Sequence, residues 1–434
     1  MKILHVCASD IGPGAARAAY RVHRSLVDHG GELGVESRMR AIQKFTNDAT
    51  VIGGPPAGQS GLWRRLHPRL NLNAKRGFKT GNSVWHSIAW PDTGLGKELE
   101  RKRRKDTDLI HLHWLGDSTL SIEEIGRLPQ PLVWRLPDQW AFLGAEHYTS
   151  PPELGERAST DERFTYGYSE DTRPTHESGT DLNRRTWLRK QRAWRQPFQI
   201  VAPTTWLAAL ARRSTLMAHW PISVIPTPID LNIWAPVEQE LARKILNISA
   251  DRPLVLFGAM GGTADTRKGA DLLIEALYRL RREQTGSPLE YLELMVFGQC
   301  RPDKTPYLGF PIHYKGQLND DLSLRILYTA ADVLVIPSRQ DNLPGTGIEA
   351  HACGTPVVAF RTGGLPDLVE DRVTGALADP FDPASLAESI RWVLEDKQRR
   401  RQLAAAARQR AETLFDPRRI AGLYAEVYNQ ALAN

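Results

Sequence analysis

The segment 337–350 contains residue types that suit a diphosphate and hydroxyl groups beside it. Asp341 and Glu349 act only as hydrogen-bond acceptors when they are ionised, and hydroxyl groups are suitable donors to them. Gly345 and Gly347 would let backbone N–H groups approach a ligand closely. A helix that begins here would also present its first N–H groups and its dipole to an anion. The segment therefore predicts a diphosphate site with sugar hydroxyls nearby.

A structural interpretation of the same residues is equally open. Thr346 and Glu349 fit the pattern T-x-x-E, in which two side chains bond to backbone N–H groups at the start of a helix. Under that interpretation these residues begin a helix and bind no ligand. A second element is needed to favour one interpretation over the other.

A basic turn with the sequence R-K-G at 267–269 supplies that element. It follows a predicted strand at 254–257 and precedes a predicted helix. Ligands of open parallel sheets bind at the carboxyl ends of the strands, and the segment 337–350 also follows a predicted strand. We therefore expect Lys268 and Asp341 to converge on one pocket, where a charge-assisted hydrogen bond contributes about 1.5 to 3 kcal/mol.

The elements that would position these residues form two series of short apolar runs alternating with helical patterns. Such alternation is typical of parallel sheets covered by helices, and it predicts an α/β fold of two doubly wound domains. The predicted strands of the first series are 2–7, 109–113 and 132–136. Those of the second series are 254–257, 294–297, 333–336 and 357–360.

The length of 434 residues also favours two domains, because single cores stop growing at roughly 250 to 300 residues. We predict a first domain over 1–205 and a second, ligand-binding domain over 206–415. The segment 416–434 is predicted to form a helix that packs back toward the first domain, since its apolar residues recur at helical spacing.

Cysteine content and hydropathy favour a cytoplasmic protein. The chain has three cysteines, Cys7, Cys300 and Cys353, whose spacing fits neither a zinc cluster nor a disulfide framework. No apolar run approaches the roughly 18 residues of a membrane span. The apolar N-terminus is interrupted by His5 and Asp10, and it predicts a strand rather than a signal peptide.

Two basic clusters stand in the first half of the chain, at 64–65 beside Trp63 and at 101–105. One interpretation is a solvated helix face. The other is attraction to anionic lipid head groups at about 1 kcal/mol per basic residue. The net charge of +6 is modest and no nucleic-acid recognition motif accompanies it, so we expect no nucleic-acid partner.

Together these segments resemble glycosyltransferase family 4, and the resemblance extends over most of the chain. The family signature is a carboxylate, seven residues and then Glu, which here runs from Asp341 to Glu349, with Asp in the position more often held by Glu. The sequence D-N-L-P-G-T-G-I-E-A-H-A-C-G-T-P-V-V-A-F is similar to the subgroup that builds colanic acid and related bacterial polysaccharides. Further agreement is found at 181–187, 202–207, 225–230 and 362–366.

The resemblance implies a GT-B fold, with two Rossmann-like domains facing a cleft. It implies transfer of a hexose from a UDP- or GDP-sugar to a glycan or lipid-linked saccharide, with retention at the anomeric carbon, in polysaccharide biosynthesis. It implies no metal and no cofactor, since the nucleotide sugar is a co-substrate. An enzyme of this kind is expected in the cytoplasm, with peripheral contact to the inner face of the cytoplasmic membrane.

The resemblance also implies residue roles, with Lys268, Asp341 and Asp138 as the catalytic residues. Lys268 and Arg267 would neutralise the leaving diphosphate, Asp341 would bind donor-sugar hydroxyls and Glu349 the ribose hydroxyls. We expect Lys268 and Glu349 at a solvent-filled site rather than in a core. The rest of the expected donor site is Gly12, Gly14, Asn342, Leu343, Pro344, Gly345 and Thr346.

Two departures from the family pattern leave alternatives open. Pro137 and Asp138 stand where the subgroup has a His-Asp pair, and the usual Arg ahead of Lys268 is replaced by Gly and apolar residues. Arg267 could substitute for that Arg. His113 and His147 are candidates for the acceptor or sugar side, although a histidine at a strand end is often a structural residue. A catalytically weak or silent nucleotide-sugar-binding protein therefore remains an alternative.

A dinucleotide oxidoreductase is the other class considered, because Gly12 and Gly14 follow the first predicted strand and open a helix. The fingerprint requires a third glycine, and Arg17 stands in its place. Nothing else in the sequence indicates hydride transfer.

Overall fold

The computed structural model describes residues 1–433 with gaps at 13, 58, 80–83, 117–118, 130, 151–161, 176, 259–264, 284–287 and 304–306. The described residues form two compact units. Unit 1 contains 1–150, 162–228 and 417–433, and unit 2 contains 229–416.

Unit 1 is built on a seven-stranded parallel sheet with the order β3-β2-β1-β5-β6-β8-β9. Its strands are β1 (Lys2–Ser9), β2 (Glu36–Gln43), β3 (Val51–Ile52), β5 (Leu109–Leu112), β6 (Leu132–Arg135), β8 (Gln199–Ala202) and β9 (Ile222–Val224). A separate antiparallel pair joins β4 (Phe78–Lys79) and β7 (Ser178–Gly179). The helices are α1 (Gly14–His29), α2 (Gly61–Ala74), α3 (Leu95–Lys105), α4 (Ile122–Arg127), α5 (Leu182–Ala193) and α6 (Thr205–Arg213).

Unit 2 is built on a six-stranded parallel sheet with the order β12-β11-β10-β13-β14-β15. Its strands are β10 (Leu254–Gly258), β11 (Glu293–Phe297), β12 (Ile312–Tyr314), β13 (Val333–Ile336), β14 (Val357–Phe360) and β15 (Gly375–Ala378). Its helices are α7 (Gln239–Leu246), α8 (Ala270–Glu283), α9 (Asp321–Ala330), α10 (Gly345–Ala352), α11 (Leu365–Leu368), α12 (Pro383–Leu394) and α13 (Lys397–Leu414).

Both sheets reverse their winding direction in the middle, between β1 and β5 and between β10 and β13. The four central strands are almost wholly buried, and β10 and β13 are apolar throughout, as expected when helices cover both faces. Ligands bind at the carboxyl ends of strands at such switch points. The predicted fold class of two doubly wound α/β domains is confirmed.

The boundary between the units lies at 228/229 and not at 205/206. The short strand β9 pairs in parallel with β8, with Ile200 opposite Ile222 and Ala202 opposite Val224, and α6 packs on both strands. The segment 206–228 therefore completes the first sheet. We expected it in the second domain because its prolines mark a break in regular structure, but the break comes after β9.

The last helix, α14 (Pro417–Ala433), belongs to unit 1. Ile420, Tyr424 and Tyr428 of this helix are buried in one cluster with Ile3, and the helix packs against α1. In the described part of the chain, no helix is long and apolar enough to cross a membrane.

Candidate functional site

The predicted meeting of Lys268 with Asp341 is present in unit 2. Lys268 ends a 3₁₀ turn (Thr266–Lys268) after β10, and Asp341 lies in the loop after the neighbouring strand β13. The Lys268 Nζ donates to Asp341 Oδ2 at 2.6 Å, and the Ser338 hydroxyl donates to the same oxygen at 3.1 Å. The other carboxylate oxygen accepts from the backbone N–H of Asn342 at 3.1 Å.

Arg267 ties the turn to the same loop. Its Nη1 donates to the carbonyl of Gln340 at 2.9 Å and lies 4.0 Å from Asp341 Oδ1. The backbone N–H of Arg339 donates to the Arg267 carbonyl at 2.8 Å. Arg267 therefore adds a second positive charge beside the carboxylate.

The electrostatics of the site keep Asp341 ionised. Burial alone would raise the pKa of this carboxyl, but the charges of Lys268 and Arg267, with hydrogen bonds from Lys268 and Ser338, lower it below its ordinary value. The site is thus a buried anion held between two cations. The Lys268 side chain is 22% exposed, so its amino group can still reach a ligand.

Helix α10 begins at Gly345, with Pro344 as its N-cap and no side-chain cap. Thr346 therefore lies inside the first turn, and the interpretation of Thr346 and Glu349 as a capping box is wrong. The first N–H groups of a helix have no intrahelical partner. Residues 343–346 are partly exposed, so this end of α10 remains accessible beside Asp341.

Gly347 and Glu349 of α10 are buried for packing reasons. A Cβ atom at Gly347 would overlap the Leu368 side chain, so this glycine allows α10 to pack on α11. Glu349 is 4% exposed, and its Oε2 accepts a hydrogen bond from the Tyr328 hydroxyl of α9 at 2.9 Å. The expectation of a solvent-filled surrounding for Glu349 is wrong, because the second turn of α10 is already covered by α9.

In unit 1, Asp138 and His147 form a hydrogen-bonded pair at the carboxyl end of β6. The His147 Nδ1 is 2.7 Å from Asp138 Oδ2, and its Nε2 is 2.7 Å from the Ser87 hydroxyl. Both residues line a small pocket together with Pro137 and three tryptophans, Trp114, Trp134 and Trp140. The imidazole that contacts Asp138 is thus supplied from nine residues further along the chain.

The loop that carries this pair is held by the buried Lys190 of α5. The Lys190 ammonium donates to the carbonyls of Trp140, Leu143 and Gly144, and it lies 3.9 Å from the centre of the Trp140 ring. Burial lowers the pKa of Lys190, and the charges of Glu146 and Asp138 partly oppose that shift. Lys190 could not be singled out from the sequence, because a lysine within a helix carries no signal of burial.

The remaining predicted residues lie at the carboxyl edge of the first sheet. Gly12 follows β1, and a Cβ atom there would overlap the Ser9 hydroxyl. Gly14 begins α1 and has open space around its Cα. His113 follows β5, lines the pocket of Asp138 and contacts His5. Gly12, Gly14 and Asp138 are thus in unit 1, whereas Lys268, Asp341 and α10 are in unit 2.

A family of known proteins matches the part of the chain that contains Lys268 and Asp341. The family described as glycosyl transferases group 1 matches residues 238–410. The matched region contains Lys268, Asp341 and Glu349.

Curated relatives match about half of the chain. The D-inositol 3-phosphate glycosyltransferase of Xylanimonas cellulosilytica is 34% identical over 224 residues, which are 48% of this chain and 51% of the relative. The protein of the same name from Geodermatophilus obscurus is 34% identical over 206 residues, 43% of each chain. The chain thus spans about half the length of the curated relatives it matches.

Solved structures match nearly the whole chain. Sucrose-phosphate synthase from Thermosynechococcus elongatus matches 100% of this chain and 99% of its own, with a TM-score of 0.64 and 19% identity. Anabaena Alr3699/HepE in complex with UDP-glucose matches 99% of this chain and 100% of its own, with a TM-score of 0.61 and 18% identity. At these identities the likeness shows the fold alone, and the predicted GT-B fold is confirmed.

Proposed function

We propose that this protein is a retaining glycosyltransferase that moves a hexose from a UDP- or GDP-sugar to a glycan or lipid-linked saccharide without a metal ion. The observation that carries the proposal is the Lys268–Asp341 pair at the switch point of the second sheet, beside the accessible start of α10. The group 1 family match over 238–410 supports it, as does the structural neighbour that binds UDP-glucose.

The site suggests how a donor would be held. A diphosphate carries more negative charge than one carboxylate, so it would draw Lys268 and Arg267 from Asp341 to itself. The accessible N–H groups of α10 would bind the same anion. Asp341, released from Lys268, could then accept hydrogen bonds from donor-sugar hydroxyls. The two cations would stabilise the charge that develops on the leaving diphosphate.

The pair of Asp138 and His147 is proposed for the sugar or acceptor side. Its carboxylate holds an imidazole at the wall of a small pocket at the carboxyl end of β6. The pair would supply the imidazole that is missing at Pro137. This interpretation favours an active enzyme over a silent nucleotide-sugar-binding protein.

The role in polysaccharide biosynthesis and the assignment to family 4 rest on the sequence similarity of 341–360. The curated relatives are named for D-inositol 3-phosphate, so that compound belongs among the acceptors to be tested beside lipid-linked saccharides.

Peripheral contact with an anionic membrane surface is part of the proposal and is supported by α2. Leu62 and Leu72 of this helix are 68% and 62% exposed, and Arg65 and Arg69 are exposed on it as well. Exposed apolar and basic side chains on one helix suit the interface of anionic lipids. We expect co-sedimentation with phosphatidylglycerol vesicles but not with phosphatidylcholine vesicles. Binding to neither kind of vesicle would contradict this part of the proposal.

The decisive experiment is a donor panel in the presence of EDTA. The protein is incubated with UDP-glucose, UDP-galactose, UDP-N-acetylglucosamine and GDP-mannose, and the released UDP or GDP is measured. We expect slow hydrolysis of one donor, faster release with the correct acceptor, and a product that keeps the donor's anomeric configuration by NMR. Binding without turnover would favour the silent protein, and no affinity for any donor would overturn the proposal.

A further inference from the structure

Three histidines of unit 1 lie side by side beneath α1 and α14. His5 on β1 and His111 on β5 are opposite each other in the parallel register, and His113 follows two residues later on the same face. The ring centres are 4.8 Å apart for His5 and His111, 5.1 Å for His5 and His113, and 4.1 Å for His111 and His113. All three are at most 1% exposed. We call these three residues the histidine cluster.

In each ring of the histidine cluster, one nitrogen is hydrogen-bonded and the other has no partner among the described residues. The His5 Nδ1 and His113 Nε2 are 2.8 Å apart, and the His111 Nδ1 is 2.8 Å from the Tyr428 hydroxyl of α14. Within the described residues, His5 Nε2, His111 Nε2 and His113 Nδ1 have no hydrogen-bond partner. An unsatisfied buried polar atom destabilises a fold by roughly 1 to 3 kcal/mol, so three together call for an explanation.

The protonation state of the rings suits a metal. Burial lowers the pKa of all three imidazoles well below the ordinary value. Neighbouring imidazoles lower the pKa of His5 and His113 further, and Arg135 lowers that of His111 and His113. The rings are therefore neutral at physiological pH, and a neutral imidazole has a lone pair on one nitrogen. That is the form in which histidine binds transition metals.

We propose that the histidine cluster binds one transition-metal ion of the zinc class inside unit 1. Each residue offers one ring nitrogen, and these atoms all lie within 4.8 Å of one another. Tetrahedral zinc with bonds of about 2.0 to 2.1 Å places its nitrogen ligands about 3.3 Å apart, so the rings would draw together by rotating about their side-chain bonds.

The ligand chemistry and the surrounding charge select the kind of ion. In the described residues the cluster contains imidazoles and no carboxylate, which disfavours magnesium and calcium and favours zinc or copper. Arg135 is a nearby cation, so the affinity must come from the metal–nitrogen bonds and not from a negative field. Since His111 contacts Tyr428, a bound ion would join β1 and β5 and support the docking of α14.

The test uses the chain of 434 residues without a histidine tag. After equilibration with zinc and gel filtration, we expect about one zinc per chain by mass spectrometry. Cobalt(II) in the apo protein should give the intense visible absorption of a tetrahedral site, and zinc should abolish it. These two measurements on the wild-type protein do not depend on any variant folding.

Variants assign the binding to the cluster. His5→Ala and His111→Ala should each lower zinc retention at least fivefold. His23→Ala is the matched control, because His23 is buried on the same side of the sheet but bonds Ser37 and Thr50 through its two nitrogens. Folded wild-type protein that retains no zinc and gives no cobalt spectrum would overturn the proposal, as would an equal loss in His23→Ala.

Discussion

The central interaction at the level of single residues is a buried carboxylate that depends on cations. Asp341 is 6% exposed and is stabilised by Lys268, Ser338 and the backbone of Asn342. A buried charge is tolerated only when it is paired and hydrogen-bonded. The interaction that prepares the site for a diphosphate is therefore also part of the stability of unit 2.

Lys268→Ala is expected to change both binding and stability. Loss of a charge-assisted hydrogen bond should weaken UDP or GDP affinity about tenfold to a hundredfold by calorimetry. Because Asp341 is buried, the same change should lower the free energy of unfolding by about 1 to 3 kcal/mol in urea. At the solvent-filled site that the sequence alone predicts for Lys268, the same change would cause little loss of stability.

The control for that prediction is Lys244→Ala, which removes the same charge from an exposed position on α7 of the same unit. Lys244→Ala should change neither the UDP or GDP affinity nor the free energy of unfolding. Nucleotide affinity that is unchanged in Lys268→Ala would argue against the diphosphate site.

A site residue can be predicted from sequence when it directly follows a regular element such as a strand. Lys268 and Asp341 each follow a strand, and neighbouring parallel strands bring their carboxyl ends together, so the pairing was predictable. Asp138 and His147 belong to an irregular loop held by Lys190, and no periodic pattern indicates their contact. The burial of Glu349 depends on where α9 packs, which the spacing of residues in α10 does not reveal.

At the scale of elements, the site depends on how closely the turn after β10 approaches the loop after β13. Gly269 has a φ of +67°, and a Cβ atom there would overlap the carbonyl oxygen of Pro337. The glycine is thus required twice, for a left-handed conformation and for the close approach. Lys268, the preceding residue, reaches Asp341 because the two segments are this near.

Gly269→Ala should therefore separate the two segments. A left-handed alanine alone destabilises by roughly 1 to 2 kcal/mol, and Gly316→Ala, at φ +66° with open space around it, should show only that effect. Gly269→Ala should lose more stability in urea and should also weaken nucleotide binding. Equal losses in the two variants, with binding intact, would show that the contact with Pro337 is unimportant.

The element scale also explains the one boundary that was misplaced. Long buried strands such as β10 and β13 were predicted because their residues are uniformly apolar. Strand β9 has three residues, of which two are half-buried and one is exposed, so it lacks that pattern. Its membership of the first sheet follows from pairing with β8, which involves backbone groups and leaves no mark in the sequence.

For the whole molecule, the buried histidines of unit 1 make stability depend on pH. Burial lowers the pKa of His23 to about 4, and it holds the pKa values of His5, His111 and His113 well below the ordinary range. Unfolding returns each of them to about 6.5. Below that pH the unfolded chain binds protons that the folded chain does not bind, so the free energy of unfolding falls as the pH falls.

Urea unfolding in EDTA at pH 7.5 and 5.5 measures the effect. Tryptophan fluorescence reports mainly on unit 1, since all but Trp234 and Trp392 of the 12 tryptophans precede residue 229. Each depressed histidine should contribute a loss of about 1.3 kcal/mol over this interval. His23→Gln should remove one such contribution and show a correspondingly smaller loss, because glutamine does not titrate. Stability that is constant or rises toward pH 5.5 would mean that these imidazoles are already protonated in the folded protein.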